Sequence, residues 1–317
     1  MSERNLRNEL ERSCRIAVLT HVHPDGDALG SATALVLGLR SLGKEVSFFT
    51  ERPVEETYRF FTAESQLIET MLPDIYDWMI ALDCGAPDRL GAAESAFLAH
   101  PHTLVVDHHH TNTGYAHTNI IDGDSASTAE MVFDLLNEWQ IPITPEMATA
   151  LYVGVVTDTG RFAYSATTEK THQVAGALLR LGADSNEIHH RLYEVTTLAS
   201  LQAKAEVIKT LRFFCNDRLA VGFLPRSVAQ TIDVGDAELD GMSNMLRNLQ
   251  GVEVGAFLRE REDGAYKVSL RSERIVDVSA IAASFMGGGH ARAAGYTSNA
   301  TLEETIEALQ KAVASTL

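Results

Sequence analysis

Three short segments of the sequence combine aspartate and histidine at spacings that suit a metal site. They are residues 21–27 (HVHPDGD), residues 83–85 (DCG) and residues 107–110 (DHHH). A fourth acid, Asp158, stands in residues 154–160 (GVVTDTG) after another apolar run. Carboxylates and imidazoles without thiolates suit manganese or magnesium better than structural zinc. We therefore expect these segments to supply a site for divalent cations.

The acidic charge of these segments is itself an argument for cations. Four aspartates drawn into one crevice repel one another and raise each other's pKa values unless cations are present. Two divalent ions would cancel the four charges. Such a pair, about 3.5–4 Å apart, lowers the pKa of a water between them and holds the attacking and leaving oxygens of a displacement at phosphorus. The predicted reaction is hydrolysis of a phosphoester.

Each of the three segments follows a short apolar run that predicts a strand. Such runs occupy residues 16–20, 46–50, 78–82 and 103–106, and helical patterns begin near residues 27, 125, 145 and 168. Continuous apolar runs between helices are typical of a parallel sheet buried on both faces. We predict an α/β fold with an N-terminal doubly wound, mostly parallel sheet. Loops after neighbouring strands of such a sheet meet in one crevice, so the three segments can share a site.

Taken singly, each of these residues also has a structural explanation. An aspartate or histidine at a strand end is often a helix cap, and Asp27 could be the N-cap of the first helix. The run of histidines at 108–110 could form a solvated loop. Acids and histidines after successive strands are more than capping requires, and this coincidence favours a shared site.

The C-terminal part of the chain predicts a second, smaller α/β domain. A helical pattern over residues 186–214 precedes strand patterns at 219–224, 252–259 and 266–272, with a hairpin turn at 262–264. A last helix over 301–313 opens with a capping-box pattern. We predict a catalytic metal-binding domain at 1–190, a helical linker at 191–205 and a substrate-binding domain at 206–317.

Composition limits the class of partner. The 317 residues carry a net charge of −17, which argues against a protein that neutralises many phosphates of long nucleic acid. Residues 1–199 hold 28 acidic and 13 basic side chains, and residues 200–317 hold 15 and 13, so the second part suits anions better. Three scattered cysteines and an N-terminus without an apolar core predict a cytoplasmic protein with neither disulfides nor a membrane anchor.

The metal-type segments resemble the successive motifs of the DHH phosphoesterase superfamily. They occur in the family's order, ending with residues 157–162 (TDTGRF), and residues 287–295 (GGGHARAAG) resemble the signature of the associated DHHA1 domain. Together they look like the NrnA-like branch of bifunctional oligoribonucleases and phosphatases of 3′-phosphoadenosine-5′-phosphate (pAp). The resemblance covers about residues 15–297.

The resemblance also implies roles for individual residues. One cation would bind His21, Asp25 and Asp83, and the other would bind Asp27, Asp83, His108 and Asp158. Asp83 would bridge two ions, most simply Mn²⁺, with Mg²⁺ or Co²⁺ as substitutes. Asp107 would orient a ligand histidine, and His109 would face the scissile phosphate. His23 and His110 occupy variable positions of the motif and are expected to be structural.

A second set of residues is expected to hold the substrate. It consists of Gly287, Gly288, Gly289, His290, Arg271 and Arg292. Consecutive glycines let backbone N–H groups approach an anion, and the resemblance implies that this loop and Arg271 hold the nucleotide across an interdomain cleft. The alternatives are a flexible turn for the glycines, a pairing of Arg271 with Glu273 or Asp263, and a surface ion pair for Arg292.

We therefore expect a hydrolase that cleaves very short single-stranded RNA to mononucleotides and converts pAp to AMP. Long duplex nucleic acid and membranes are not expected as partners, and a homodimer is expected only by analogy. A cyclic-dinucleotide phosphodiesterase would share the same catalytic motifs. A nucleotide sensor without catalysis is the alternative from another class, and a missing ligand would be its mark in the sequence.

Overall fold

The computed structural model describes residues 3–235, 237–239 and 241–317 and divides into two units between Glu194 and Val195. The strands of the first unit are β1 Arg15–Leu19, β2 Glu45–Thr50, β3 Ser65–Leu67, β4 Trp78–Leu82, β5 Thr103–Asp107 and β6 Thr118–Ile121. They form one sheet in the order β3-β2-β1-β4-β5-β6, with every neighbouring pair parallel. β1 pairs with β2 on one side and with β4 on the other, so the sheet extends from β1 in both directions, as the predicted doubly wound fold requires. The carboxyl ends of β1 and β4 meet at this switch point, where ligands bind in such folds.

Helices cover both faces of this sheet. They are α1 Glu3–Arg12, α2 Gly26–Ser41, α3 Glu94–Ala99, α4 Thr128–Glu138, α5 Pro145–Asp158, α6 Glu169–Arg180 and α7 Ser185–His189. Alternate residues of β1 show the two faces: Ile16 and Val18 pack into the core with α2 and α5, while Ala17 and Leu19 belong to a second core with Phe97 of α3. Burial on both sides explains why the strand sequences are continuous apolar runs.

The second unit is built on a mixed sheet. Its elements are α8 Leu198–Lys209, β7 Arg212–Phe214, β8 Leu219–Leu224, α9 Arg226–Ile232, α10 Met242–Arg247, β9 Val254–Glu260, β10 Tyr266–Ser272, α11 Val278–Ser284, β11 Gly288–His290, β12 Ala293–Ser298 and α12 Leu302–Ala314. The strand order is β11-β12-β10-β9-β8-β7; β8 and β9 are parallel and the other neighbours are antiparallel. The predicted hairpin between β9 and β10 and the capping box of α12 are present, the latter formed by Thr301 and Glu304.

One helical prediction is wrong at its end. The pattern over residues 186–214 predicts helix throughout, but residues 195–197 are not helical, α8 ends at Lys209, and residues 212–214 form β7, which pairs antiparallel with β8 at the sheet edge. A three-residue edge strand has too short an apolar pattern to be distinguished from the end of a helix. Within the described residues, no helix has the length and apolar composition needed to cross a bilayer.

Candidate metal centre

The structure brings six of the predicted site residues together at the carboxyl edge of the parallel sheet. They are His21 after β1, Asp25 and Asp27 at the start of α2, Asp83 after β4, His108 after β5, and Asp158 at the end of α5. The sequence places Asp158 after an apolar run, and the structure shows that this run is the buried helix α5. Five strand or helix ends therefore bring their side chains into one crevice.

Two groups of these side chains have potential ligand atoms within 4.8 Å of one another: His21, Asp25 and Asp83 in one, and Asp27, His108 and Asp158 in the other. A third such group, Asp83, His108 and His109, overlaps both. Asp83 lies between the first two. Its Oδ2 is 3.8 Å from His21 Nε2, and its Oδ1 is 3.6 Å from His108 Nε2. His108 Nε2 is also 3.4 Å from Asp158 Oδ2 and 3.9 Å from Asp27 Oδ2. The two oxygens of one buried carboxylate thus face the two groups, which is the geometry of a bridging ligand.

Backbone N–H groups hold the two aspartates of α2. Asp25 is the N-cap, and its Oδ1 accepts hydrogen bonds from the N–H groups of Asp27 (3.0 Å) and Ala28 (3.1 Å). Asp27 does not cap its own helix. Its carboxylate instead accepts from the first N–H groups of α4, Thr128 (2.7 Å) and Ala129 (2.8 Å). The positive end of the α4 dipole therefore favours the charged form of this fully buried carboxyl group.

Close packing of α2 against α5 brings Asp27 near Asp158. A Cβ at Gly30 would collide with the carbonyl oxygen of Ala150, and a Cβ at Gly154 would lie 2.8 Å from Asp27 Oδ1. The two glycines thus allow the helices to approach until Asp27, at the start of α2, lies near Asp158, at the end of α5.

Asp83 is held differently. Its φ of 55° is left-handed, and its Oδ1 accepts a hydrogen bond of 3.0 Å from Thr128 Oγ1. Aspartate adopts this backbone conformation more readily than most non-glycine residues.

The two neighbouring histidines have different partners. His108 Nδ1 lies 3.3 Å from the carbonyl oxygen of Ser125, so Nδ1 can donate there and Nε2 is left as the ligand atom. Asp107 instead contacts His109, whose Nδ1 is 2.7 Å from Asp107 Oδ1, and Asn112 Nδ2 donates to the other oxygen at 2.7 Å. Asp107 therefore orients His109, two residues later, rather than one of the implied ligand histidines.

The electrostatics of the cluster match a cation site. Burial, reinforced by neighbouring carboxylates, raises the pKa of Asp27 and of Asp83 well above the usual range. Burial also lowers the pKa of His21 to about 4, which keeps the imidazole neutral as a ligand must be. Burial raises the pKa of the Cys84 thiol to about 11, so the nearest sulfur is not a thiolate ligand. The donor set is oxygen and imidazole, which fits manganese or magnesium.

The predicted substrate residues lie in the second unit. Gly288–His290 form β11, and a Cβ at Gly287 would lie 2.5 Å from Tyr296 Cβ, so this glycine also serves close packing. Arg292 is exposed and donates to the carbonyl oxygen of Val276 at 2.8 Å, and Arg271 donates to that of Leu270 at 3.0 Å. The side chain of His290 lies outside the described part of the structure.

Sequence reasoning missed four residues that shape the site: Thr128, Ser125, Asn112 and Arg89. Thr128 and Ser125 act partly through backbone atoms, which no residue pattern reveals. Asn112 follows the histidine run by two residues, and its amide holds Asp107. Arg89 is a basic residue six positions after Asp83, and its Nη2 lies 3.1 Å from His21 Nδ1.

Comparison with known proteins gives the same two-part organisation. Residues 15–155 match the DHH family, N-terminal domain, and residues 219–317 match the DHHA1 domain. The bifunctional oligoribonuclease and PAP phosphatase NrnA of Thermus thermophilus is 33% identical over 94% of this chain and 89% of its own length. The protein of the same name from Bacillus subtilis is 26% identical over 87% of this chain and 86% of its own length.

Solved structures share the fold. An exopolyphosphatase-related protein from Bacteroides fragilis has a TM-score of 0.94 and 26% identity, covering 99% of this chain and 95% of its own. An exonuclease RecJ structure with bound manganese has a TM-score of 0.55 and 18% identity, covering 100% of this chain and 95% of its own. At 18% identity, the similarity to the RecJ structure shows a shared fold only.

Proposed function

We propose that the chain is a two-metal phosphoesterase, because it belongs to the DHH family and carries a C-terminal DHHA1 domain. It hydrolyses short oligoribonucleotides to mononucleotides and removes the 3′-phosphate of pAp to leave AMP. The names of the Thermus thermophilus and Bacillus subtilis relatives support both substrates. The observation that carries the proposal is the position of Asp83, whose two carboxylate oxygens face His21 of one ligand group and His108 of the other.

Each ligand group would hold one divalent cation. His21 and Asp25 would hold the first, Asp27, His108 and Asp158 would hold the second, and Asp83 would contribute to both. The four carboxylates then balance two doubly charged ions, which removes the repulsion that burial amplifies. Mn²⁺ suits this mixed oxygen and imidazole set best, and Mg²⁺ or Co²⁺ would serve as substitutes.

When bound, the cations supply an activated water and stabilise negative charge at phosphorus. The chain's own residues do the rest. Asp107 and Asn112 fix the His109 ring, so that its second nitrogen can donate to the phosphoryl group. Ser125 fixes His108 with Nε2 towards the carboxylates. These contacts hold both imidazoles in place before the substrate arrives, so that no reorganisation is needed.

The DHHA1 unit holds the rest of the nucleotide in this proposal. The glycine-rich segment 287–289, His290, Arg271 and Arg292 offer donors to a phosphate or a base. The acidic balance of the chain favours short single-stranded ligands over long duplexes. The free cysteines Cys14, Cys84 and Cys215 favour a reducing compartment, and we place the activity in the cytoplasm.

The test is a substrate panel with the purified full-length protein. The protein is stripped with a chelator, reloaded with Mn²⁺, and incubated with pAp, an RNA dinucleotide and a cyclic dinucleotide. We expect AMP and phosphate from pAp, mononucleotides from the dinucleotide, and slower turnover of the cyclic compound. Asp83→Asn should remove nearly all turnover, and Asp134→Asn, at an exposed helix position, is the matched control. Preferred turnover of the cyclic dinucleotide, or recovery of every nucleotide intact, would reject the proposal.

A further inference from the structure

Arg89 lies beside the metal centre on a tightly held backbone. It belongs to a short 3₁₀ segment, Pro87–Ala93, that follows Asp83 and β4. The carbonyl oxygen of Arg89 accepts a hydrogen bond of 2.9 Å from Val22 N–H, next to His21. A Cβ at Gly91 would lie 2.5 Å from Val22 Cγ1, and the φ of Gly91 is +57°, so this turn is built for close approach. The segment is therefore fixed against the loop that carries His21 and Asp25.

The guanidinium of Arg89 is half-buried and makes few contacts. Its Nη2 lies 3.1 Å from His21 Nδ1, which is its one side-chain hydrogen bond within the described chain. Among the described residues, no carboxylate pairs with Arg89, although several aspartates line the same crevice. A guanidinium carries five N–H donors, and most of those of Arg89 are unused. Its charge is accordingly available to an anion from outside the chain.

Holding His21 in place is a poor explanation for this arginine. A histidine that binds a cation through Nε2 carries its proton on Nδ1 and needs an acceptor there, as Ser125 provides for His108. A guanidinium can only donate. When His21 serves as a ligand, Arg89 and His21 are two donors, and Arg89 requires an acceptor from elsewhere. The phosphate oxygens of a substrate are such acceptors.

We propose that Arg89 binds the scissile phosphate, as a cationic residue on the His21 side of the metal centre. This inference rests on the proposed function and adds a substrate contact in the first unit. Two divalent cations balance the four ligand carboxylates, so the phosphate of an incoming nucleotide brings charge that the ligand set does not neutralise. The planar guanidinium can donate two parallel hydrogen bonds to two phosphate oxygens, a geometry that an ammonium group does not offer.

The test separates substrate binding from metal binding. Isothermal titration calorimetry measures Mn²⁺ affinity and then the affinity of the Mn²⁺-loaded protein for orthophosphate; steady-state kinetics with pAp and an RNA dinucleotide give KM and kcat. For Arg89→Met we expect weaker orthophosphate binding and a KM that rises about tenfold or more for both substrates. Mn²⁺ affinity should be unchanged or tighter, since a positive charge beside the cations is removed.

Two further variants complete the experiment. Arg89→Lys keeps the charge without the planar fork, so its KM should lie between those of the wild type and Arg89→Met. If thermal unfolding shows that Arg89→Met does not fold, the KM and orthophosphate affinity of Arg89→Lys provide the test instead. Arg180→Met, at the exposed end of α6, is the matched control and should leave KM and both affinities unchanged.

The outcomes distinguish this inference from the proposed function. If the wild-type protein turns over both substrates while Arg89→Met retains wild-type KM and orthophosphate affinity, the inference is wrong and the proposed function stands. Weaker Mn²⁺ binding with a normal KM at saturating metal would also overturn it, because Arg89 would then act on His21. Absence of turnover by the wild-type enzyme would contradict the proposed function itself.

Discussion

Asp83→Asn should make the metal-free protein more stable and, at the same time, remove most of its stabilisation by Mn²⁺. The ligand atoms of Asp25 and Asp83 lie within 4.8 Å of each other, where two unit charges repel by roughly 3 kcal/mol at an effective dielectric constant of 20. Asparagine keeps the shape of the side chain and the oxygen that accepts from Thr128. Because protonation already relieves part of the repulsion, we expect a gain of about 1–3 kcal/mol in the free energy of unfolding.

Thermal unfolding with and without metal measures both effects. A gain of about 1–3 kcal/mol raises the Tm of a unit of this size by roughly 2–10 °C in chelator. For the wild type, a cation at 100 times its Kd adds about 2.7 kcal/mol per site, so two sites add about 5 kcal/mol. Asp83→Asn alters a ligand of both sites and should lose more than half of this increment.

Asp134→Asn serves as the reference, since Asp134 is exposed on α4 and pairs with Lys170. It should change neither the Tm in chelator nor the increment from Mn²⁺. Two outcomes would contradict this prediction: a lower Tm of Asp83→Asn in chelator, or stabilisation of Asp83→Asn by Mn²⁺ that equals that of the wild type. Either result would mean that the buried carboxylate is not under electrostatic strain relieved by cations.

Three further predictions concern the same site. The raised pKa values of Asp27, Asp83 and Asp158 mean that these carboxyls bind more protons in the folded metal-free protein than in the unfolded chain, and the lowered pKa of the single His21 acts in the opposite direction. The three carboxyls outnumber the histidine, so the Tm in chelator should fall as pH rises from about 4 through their raised pKa values, and a flat or rising profile would contradict the assignment. Gly154→Ala places a Cβ 2.5 Å from Ala129 Cβ of α4 and 2.8 Å from Asp27 Oδ1 of α2. It should cost about 1–3 kcal/mol in urea unfolding and reduce Mn²⁺ affinity, and wild-type stability would show that α5 can move away from α2 and α4 freely. Asn112→Leu removes the donor that holds Asp107 and should lower kcat about tenfold with little change in Mn²⁺ affinity, whereas an unchanged kcat would remove His109 from the mechanism.

The sheet of the first unit was predictable because its strands are buried on both faces. The runs at 16–20, 46–50, 78–82 and 103–106 match β1, β2, β4 and β5 to within one residue at each end. The short strands β3 and β6 were not predicted. They lie at the two edges of the sheet and are partly exposed, so they lack the continuous apolar pattern of the central strands.

The clustering of the site residues was predictable for a similar reason. In a parallel sheet, strand ends converge whatever the sequence distance between them, so the residues after β1, β4 and β5 had to meet. The contacts that orient them were not predictable. Asp27 is held by N–H groups about 100 residues later in the chain, and His108 is held by a carbonyl oxygen. Backbone atoms are the same in every residue, so such partners leave no pattern in the sequence.

The most direct test of the account is anomalous X-ray scattering from crystals of the full-length protein grown with Mn²⁺. We expect two anomalous peaks, about 3.5–4 Å apart, with the carboxylate of Asp83 between them. His21 and Asp25 should border one peak, and His108 and Asp158 the other. A single peak away from Asp83, or a crevice without anomalous signal at saturating Mn²⁺, would contradict the two-metal centre and the hydrolase mechanism built on it.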